Sequence, residues 1–216
     1  MFDLDSIADS LAAAIRNAAE RADIEQSPLG VDALDELSIH PLLHAALRDA
    51  GFGIHPEQRY PGDRLKSRRS EGERCDIVLT ESPTDHLLDP LSAGTLFAHR
   101  GVAPDEALWL EVKVIGQFSV YDGVGRPNPQ YSGRLLGEVM RGAHKLAADH
   151  GIAHAALTLI LFNADEATAT HDLEAWMNRA LEKSVPISWP SLRRFAITDR
   201  IGNAQCTVAV MKVNRL

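Results

Sequence analysis

The chain has 216 residues, of which 45% are hydrophobic and 24% are charged, and its formal net charge is −8. This composition is typical of a globular protein, and a chain of this length can bury a core without disulfides or zinc. No stretch approaches the roughly eighteen apolar residues of a membrane span, and no basic and apolar leader opens the chain, so we expect no membrane partner and no secretory signal. Two widely separated cysteines, Cys75 and Cys206, favour a reduced, cytoplasmic protein.

The negative charge is concentrated at the start of the chain. Residues 1–50 contain three basic and ten acidic residues, a net charge of −7. Residues 51–216 contain 19 basic and 20 acidic residues, a net charge of −1. A total of −8 argues against a nucleic-acid partner, but this distribution permits a modest basic surface beyond residue 50.

Two helices are predicted before residue 51. The first, over residues 3–22, is amphipathic because apolar residues recur at steps of three and four: Leu4, Ile7, Leu11, Ile15 and Ala18. The second is predicted to end at Gly51, and Pro41 leaves two alternatives open for its start. Either Ser38 caps a helix that has the proline in its first turn, or a longer helix kinks at the proline.

From residue 53 onward, apolar residues predict mainly strands. Strands are expected at residues 54–60, 75–80, 107–115, 155–162, 193–199 and 205–213, and helices at 133–150 and 170–183. Pro56 predicts that the first of these strands lies near a sheet edge. Residues 61–74 are a polar, basic connection, residues 82–106 a loop or insertion, and residues 122–133 a loop.

This order of elements predicts an α/β fold with a mixed sheet of the α+β kind, flanked by helices. We expect a single domain over residues 1–216. Within it, residues 1–30 form an N-terminal helical extension, residues 31–163 a core, and residues 164–216 a C-terminal helix followed by two strands.

Isolated ionisable residues interrupt two apolar strands. Glu111 and Lys113 share one face of a strand that is otherwise apolar, and Asp76 lies beside a second apolar run. An edge strand with one solvated face would also accommodate such residues. Against that alternative, Lys113 is the only one of five lysines with a carboxylate two residues before it, and the pair lies in the centre of its run. The pattern therefore favours convergence of the three side chains at one cleft.

Asp76, followed on the next strand by Glu111-Val112-Lys113, resembles the PD-(D/E)XK, or restriction-endonuclease-like, nuclease superfamily. The resemblance covers about residues 35–163 and implies a restriction-endonuclease-like αβββαβ core, with an extra N-terminal helix and a C-terminal αββ extension. Cys75 stands where the motif has proline, a position that contributes no chemistry. The 34 residues between Asp76 and Glu111 require an insertion.

The resemblance implies a catalytic set of Asp76, Glu111 and Lys113 that hydrolyses phosphodiester bonds, with DNA as the expected substrate. Asp76 and Glu111 would hold Mg²⁺ or Mn²⁺ through hard oxygen ligands. Lys113 would orient or deprotonate the attacking water and offset negative charge. Glu36, on the first core helix, would complete the metal shell or a second site, with an orientation that depends on Pro41.

Basic residues near these strands are candidates for contacts with nucleic acid. The candidates are Arg59, Arg64, Lys66, Arg68 and Arg69 in and beside the basic connection, and Arg141 and Lys145 on the following helix. A solvated connection and a solvated helix face would explain the same residues. Tyr121 and Tyr131 could stack on bases, or simply pack.

His40 and His44 are four residues apart, but no third ligand is visible near them, so we interpret them as core or surface histidines. Two alternatives to a nuclease remain. One is a catalytically silent member of the same fold that acts in binding or assembly, with the first helix packed on its own core or on a second subunit in a homodimer. The other is a small α/β enzyme of unrelated chemistry in which Glu111 and Lys113 form an internal ion pair.

Overall fold

The computed structural model describes residues 2–65, 73–88 and 101–216. The elements, in chain order, are α1 (Leu4–Ile24), a 3₁₀ turn (Val31–Ala33), α2 (Glu36–Asp49), β1 (Gly53–Arg59), a second 3₁₀ turn (Pro61–Leu65), β2 (Arg74–Thr80), β3 (Leu108–Gly116), β4 (Phe118–Tyr121), β5 (Val124–Pro127), α3 (Tyr131–Gly133), a π-helical stretch (Arg134–Glu138), α4 (Val139–Ala148), β6 (His154–Asn163), α5 (Glu166–Glu182), β7 (Ser191–Ala196) and β8 (Gln205–Val213). Within these described ranges, no helix is both long and apolar enough to cross a membrane.

Six strands form one mixed sheet in the order β1-β2-β3-β6-β8-β7. Among the described strands of this sheet, β3 and β6 run parallel and the other neighbours are antiparallel. The predicted mixed α/β architecture is therefore confirmed, and β1 lies at an edge as Pro56 predicts. The α3–α4 helical segment lies between β3 and β6 in the chain, as a parallel connection requires.

Helices cover both faces of this sheet. Ile7 of α1 and Leu43 of α2 belong to the core on one face, together with Val112 of β3. Trp176 of α5 belongs to the core on the other face, together with Trp109 of β3. Because β3 is covered on both sides, a charged side chain in its centre must find polar partners inside the protein.

Of the two alternatives for α2, the longer helix that contains Pro41 is the one observed. Asp35 is the N-cap, and its Oδ1 accepts a hydrogen bond from the Ser38 N–H (2.8 Å), so the prediction that Ser38 caps the helix is wrong. Glu36 is the first helical residue and Pro41 lies within the second turn. The proline has no N–H to offer the carbonyl of Leu37, so the helix lacks one hydrogen bond near its start.

The predicted loop at residues 122–133 is instead partly strand, because β4 and β5 form a separate hairpin. Its base is fixed by Asn203, whose Nδ2 donates to the Phe118 carbonyl (3.2 Å) and to Asp32 Oδ2 (3.0 Å). The Phe118 N–H donates to Asn203 Oδ1 (3.1 Å). Strand β5 has four residues, two of which are Gly125 and Pro127, so its sequence shows no alternating pattern that would predict a strand.

Gly202, which lies between β7 and β8 against the base of the hairpin, and Gly123, at its tip, give a test of this anchoring. Gly202 has a φ of +118°, and a Cβ on it would lie 2.4 Å from the ring of Phe118. Gly123, at the hairpin tip, has a φ of +77° with nothing within 4 Å of such a Cβ. We expect Gly202→Ala to lower the free energy of unfolding by about 2–4 kcal/mol, because it adds overpacking to backbone strain, and Gly123→Ala to lower it by about 1 kcal/mol. Urea denaturation measures both, and equal losses would contradict a fixed hairpin base.

Candidate active site

The site forms where the sheet opens between β2 and β3. These strands pair over only three residue positions, and Ile77–Leu110 is the last pair before the opening. Beyond it, the Val112 N–H donates to a side chain of β2, Asp76 Oδ2 (2.7 Å), instead of to a backbone carbonyl of that strand. The Asp76 carboxylate therefore accepts the hydrogen bond that the backbone of β2 no longer accepts from β3. This bond fixes the orientation of the carboxylate.

Helix α2 supplies the second carboxylate at this opening. The Val114 N–H, two residues further along β3, donates to Glu36 Oε2 (3.3 Å). Because Asp35 is the N-cap, Glu36 is the first residue of the helix, and the start of the helix determines where the Glu36 carboxylate lies. Glu36 Oε1 is then left facing the side chain of Lys113.

Lys113 lies at the centre of three carboxylates. Its Nζ is 3.2 Å from Glu36 Oε1, 3.6 Å from Asp76 Oδ2 and 3.3 Å from Glu111 Oε1, and its side chain is 15% exposed. Burial alone would lower the pKa of Lys113, but the carboxylates of Glu111, Asp76 and Glu36 outweigh it and raise this pKa above its ordinary value. Lys113 is therefore an ammonium that balances part of the negative charge. The four residues that the sequence assigns to catalysis and metal binding are brought together.

Glu111 is the most buried of the three carboxylates, with 6% of its side chain exposed. Tyr60 Oη donates to its Oε2 (3.0 Å), and Lys145 Nζ lies 3.9 Å from its Oε1. Burial, and then the charge of Asp76, raises the pKa of Glu111 above its ordinary value. Gly142 allows α4 to approach, because a Cβ on this residue would lie 3.2 Å from the Cγ of Glu111.

Tyr60 is a site residue that the sequence does not reveal. It lies just after β1, is almost fully buried, and stacks near Trp109 and beneath the Lys145 ammonium, which is 4.5 Å from its ring centroid. Burial raises the pKa of Tyr60 far above its ordinary value, so the phenol remains a hydrogen-bond donor to Glu111. A lone tyrosine beside a polar connection carries no periodic signal that would identify this role.

Three residues are close enough to share a metal ion: Glu36, His40 and Asp76 each offer a ligand atom, and these atoms lie within 4.8 Å of one another. His40 is not part of the metal set predicted from the sequence, which consists of Asp76, Glu111 and Glu36. The local signal was the spacing of four residues from Glu36 to His40 on α2. The third ligand comes from β2, so the sequence around His40 could not show it.

A cleft of about 430 Å³ opens beside Glu36 and Lys113. Its charged lining consists of Asp32, Asp35, Glu36, Glu138, Lys113 and Arg134. Among the residues that the structure describes, four carboxylates against two cations make this cleft acidic. It therefore suits cations or uncharged groups better than a phosphate backbone.

The predicted nucleic-acid residues divide into three groups. Lys145 lies at the site, where it also donates to the Arg74 carbonyl (3.1 Å). Arg59 lies at the end of β1, opposite Arg74 of β2, whereas the 75% exposed side chain of Arg141 approaches Glu138 (4.0 Å). The side chain of Arg64, and all of Lys66, Arg68 and Arg69, lie outside the described residues.

The two tyrosines considered for base stacking differ. Tyr121, near the hairpin tip, is 40% exposed, and its hydroxyl donates to Asn128 Oδ1 (3.4 Å). Tyr131 packs against the core, and its hydroxyl donates to Asp172 Oδ2 (2.6 Å). Of these two, Tyr121 is the one placed to meet a ligand at the surface.

Both cysteines, Cys75 and Cys206, are free and buried. Burial raises the pKa of the Cys75 thiol well above its ordinary value, which disfavours the nucleophilic thiolate.

Comparisons of the chain with protein-family models, with curated proteins and with solved structures find no match. The geometry of the charged cluster is therefore the basis for a functional proposal.

The raised pKa of Glu111 predicts how stability depends on pH. The folded protein binds the Glu111 proton more tightly than the unfolded chain does, so this group costs stability as the pH rises through its titration range. Glu111→Gln removes that cost, while its amide oxygen can still accept from Tyr60. Without divalent metal, we expect its melting temperature at pH 7–8 to exceed that of the wild type by roughly 2–4 °C, the shift that about 1 kcal/mol produces in a domain of this size.

This advantage of Glu111→Gln should shrink as the pH falls and Glu111 becomes protonated in the wild-type protein. Thermal melts followed by circular dichroism between pH 5 and about pH 8 measure it. Glu174→Gln, which changes an exposed carboxylate on α5, is the control and should show no such trend. A variant less stable than the wild type at every pH would show that attraction to Lys113 outweighs burial and repulsion at Glu111.

Proposed function

We propose that the protein is a metal-dependent nuclease that hydrolyses phosphodiester bonds, with DNA as its expected substrate, through a PD-(D/E)XK-type site of Asp76, Glu111 and Lys113. The observation that carries this proposal is the position of the Lys113 ammonium, within 3.6 Å of carboxylates from α2, β2 and β3. Buried carboxylates with an adjacent cation, arranged at an opening in a sheet, suit the hydrolysis of a charged ester with the help of a divalent ion.

The topology supports the same proposal. Strands β1, β2, β3 and β6 are consecutive neighbours, α2 precedes them, and the α3–α4 segment connects the parallel pair β3 and β6. This order agrees with the αβββαβ core that the sequence resemblance implies. On this reading α1 is an N-terminal addition, and α5, β7 and β8 form the C-terminal extension.

Asp76 and Glu111 present oxygen ligands of the kind that Mg²⁺ or Mn²⁺ prefers. Such an ion would polarise the phosphate and lower the pKa of bound water. Asp76 is oriented by the Val112 N–H, and Glu111 is held through Oε2 by Tyr60, so Glu111 Oε1 faces Lys113. The raised pKa of Lys113 favours roles in orienting water and offsetting negative charge over a role as general base.

The charge around the site suggests a direction of approach for nucleic acid. Lys145, Arg74 and Arg59 lie on the side where β1 ends and β2 begins, and the acidic cleft lies on the side of Glu36. A phosphate backbone is attracted to the first side and repelled by the second. We therefore place the backbone along the basic side. A cytoplasmic location, expected from the unpaired cysteines, is part of the same proposal.

A catalytically silent module that binds nucleic acid or protein is the second candidate, and one observation favours it. Lys113 contacts all three carboxylates, so the cluster is a network that can stabilise the fold by itself. Homodimer formation through α1 has less support, because Ile7, Leu11 and Ile15 are fully buried within this chain. A homodimer would therefore use another surface.

Replacement of the central lysine separates the two candidates. We expect Lys113→Met to lower metal-dependent cleavage of an oligonucleotide by at least about 100-fold, because the variant has lost the cation beside the reacting phosphate. Lys183→Met, which changes an exposed lysine after α5, should cleave at the wild-type rate. The measurement is the initial rate in Mg²⁺ and in Mn²⁺, with circular dichroism to establish folding.

Unchanged cleavage by Lys113→Met would exclude this site as the nuclease centre. If Lys113→Met does not fold, Asp76→Asn tests the same centre and should also lose cleavage. The absence of cleavage by the wild-type protein, with metal bound, would favour the silent module.

A further inference from the structure

We propose that Glu36, His40 and Asp76 form a binding site for a first-row transition-metal ion, such as Mn²⁺, Fe²⁺ or Co²⁺, in preference to Mg²⁺. The site shares Glu36 and Asp76 with the proposed nuclease centre. The identification of this ion as the metal of that centre therefore rests on the proposed function. Its test needs no nucleic acid, so the metal site and the nuclease activity can fail separately.

The separation of the three ligand atoms suits one ion. One atom each from Glu36, His40 and Asp76 lies within 4.8 Å of the others. Two ligands bound to the same ion at about 2.1 Å are at most about 4.2 Å apart, so only a small closure of the side chains is needed. The three ligands come from two elements, α2 and β2, that the fold already holds side by side.

His40 is a buried imidazole with unused bonding capacity. The residue is 6% exposed, and its Nε2 is buried with no hydrogen-bond partner among the described residues. A buried polar atom without a partner costs folding free energy. Coordination of a metal ion by neutral His40 would satisfy a ring nitrogen that the protein leaves unpaired.

The two carboxylate ligands are already oriented. Glu36 is the first residue of α2, four residues before His40, so the two side chains project from the same helix face one turn apart. Backbone N–H groups of Val112 and Val114 hold Asp76 and Glu36. Little side-chain freedom is therefore lost when an ion binds, which favours affinity.

The charge of the cluster favours a divalent cation. Among the described residues, two ammonium groups lie within 3.9 Å of the carboxylates of Glu36, Asp76 and Glu111: Lys113 contacts all three, and Lys145 approaches only Glu111. Three carboxylates therefore face two ammonium groups. The remaining negative charge attracts a divalent ion to Glu36 and Asp76, in a largely buried place where charge interactions are strong.

The nitrogen ligand determines the class of metal. Mg²⁺ prefers oxygen ligands and retains its bound waters. Imidazole binds first-row transition metals, and the affinity of such a site increases from Mn²⁺ to Co²⁺. A site of two carboxylates and one imidazole should therefore bind Co²⁺ more tightly than Mn²⁺, and Mn²⁺ more tightly than Mg²⁺. Carboxylates alone would give the same order with smaller differences, so the imidazole is expected to widen the gap between Co²⁺ and Mg²⁺.

His44 provides a matched control within the same helix. It lies one turn after His40, with the two ring centroids 5.9 Å apart, and its Nε2 is also buried without a hydrogen-bond partner in the described part of the chain. It is not part of the group of ligand atoms that lie within 4.8 Å of one another. His44 is half-buried, so a general effect of removing a histidine from α2 would appear in both variants, and loss of a ligand in only one.

The first measurement uses the wild-type protein loaded with Mn²⁺ and no nucleic acid. We expect electron spin echo envelope modulation from a directly bound ¹⁴N nucleus. The modulation should vanish in His40→Asn and persist in His44→Asn. Absence of nitrogen modulation in the wild type would overturn the proposal, and so would its persistence in His40→Asn.

The second measurement compares affinities. The signal of free Mn²⁺ gives the dissociation constant for Mn²⁺, and displacement by Co²⁺ and Mg²⁺ gives the other two. We expect His40→Asn to raise the Co²⁺ dissociation constant by at least about tenfold and the Mg²⁺ constant by less than about threefold, with His44→Asn changing neither. Equal losses for both metals would overturn the selectivity. If His40→Asn does not fold, His40→Gln replaces it, and the wild-type spectrum still decides whether nitrogen is bound.

Discussion

The loss of backbone pairing between β2 and β3 beyond Leu110 is the constraint on which the centre of this molecule depends. Two N–H groups of a strand that is covered on both faces are left without a neighbouring strand, and buried donors must be satisfied. The carboxylates of Asp76 and Glu36 satisfy them. Because buried carboxylates in turn require positive charge, the ammonium of Lys113 follows from the same opening in the sheet.

Each charged group in this cluster thus has a structural reason to be present as well as a chemical one. Tyr60 holds one oxygen of Glu111, and Gly142 gives that side chain room against α4. The network is stable around an ammonium and still negative overall, so it can accept a cation without rebuilding its backbone contacts. Fixed carboxylates with incomplete charge compensation suit the metal-assisted hydrolysis that we propose.

The sequence predicts the parts of this arrangement that depend on pattern within one element. Glu111 and Lys113 in the middle of an apolar run predict convergence with Asp76, and the structure places the three together. Tyr60 and His40 could not be assigned in this way, because their partners are distant in the chain and their own surroundings carry no motif. The start of α2 depends on competition between neighbouring capping residues, which propensity resolves poorly.

The π-helical stretch between α3 and α4 has a consequence for how the site and the cleft are related. Within it the Val139 N–H bonds to the carbonyl of Arg134, five residues back, so this segment contains one residue more than an α-helical turn would hold. Each residue of an α-helix advances the side-chain direction by about 100°, so the extra residue resets the angular phase between Arg134, which lines the cleft, and Gly142, which lies against Glu111. Deletion of a single residue here would rotate one of these surfaces out of place while leaving the composition of both intact. The π-helical stretch therefore sets the relative orientation of two surfaces that belong to a single helix.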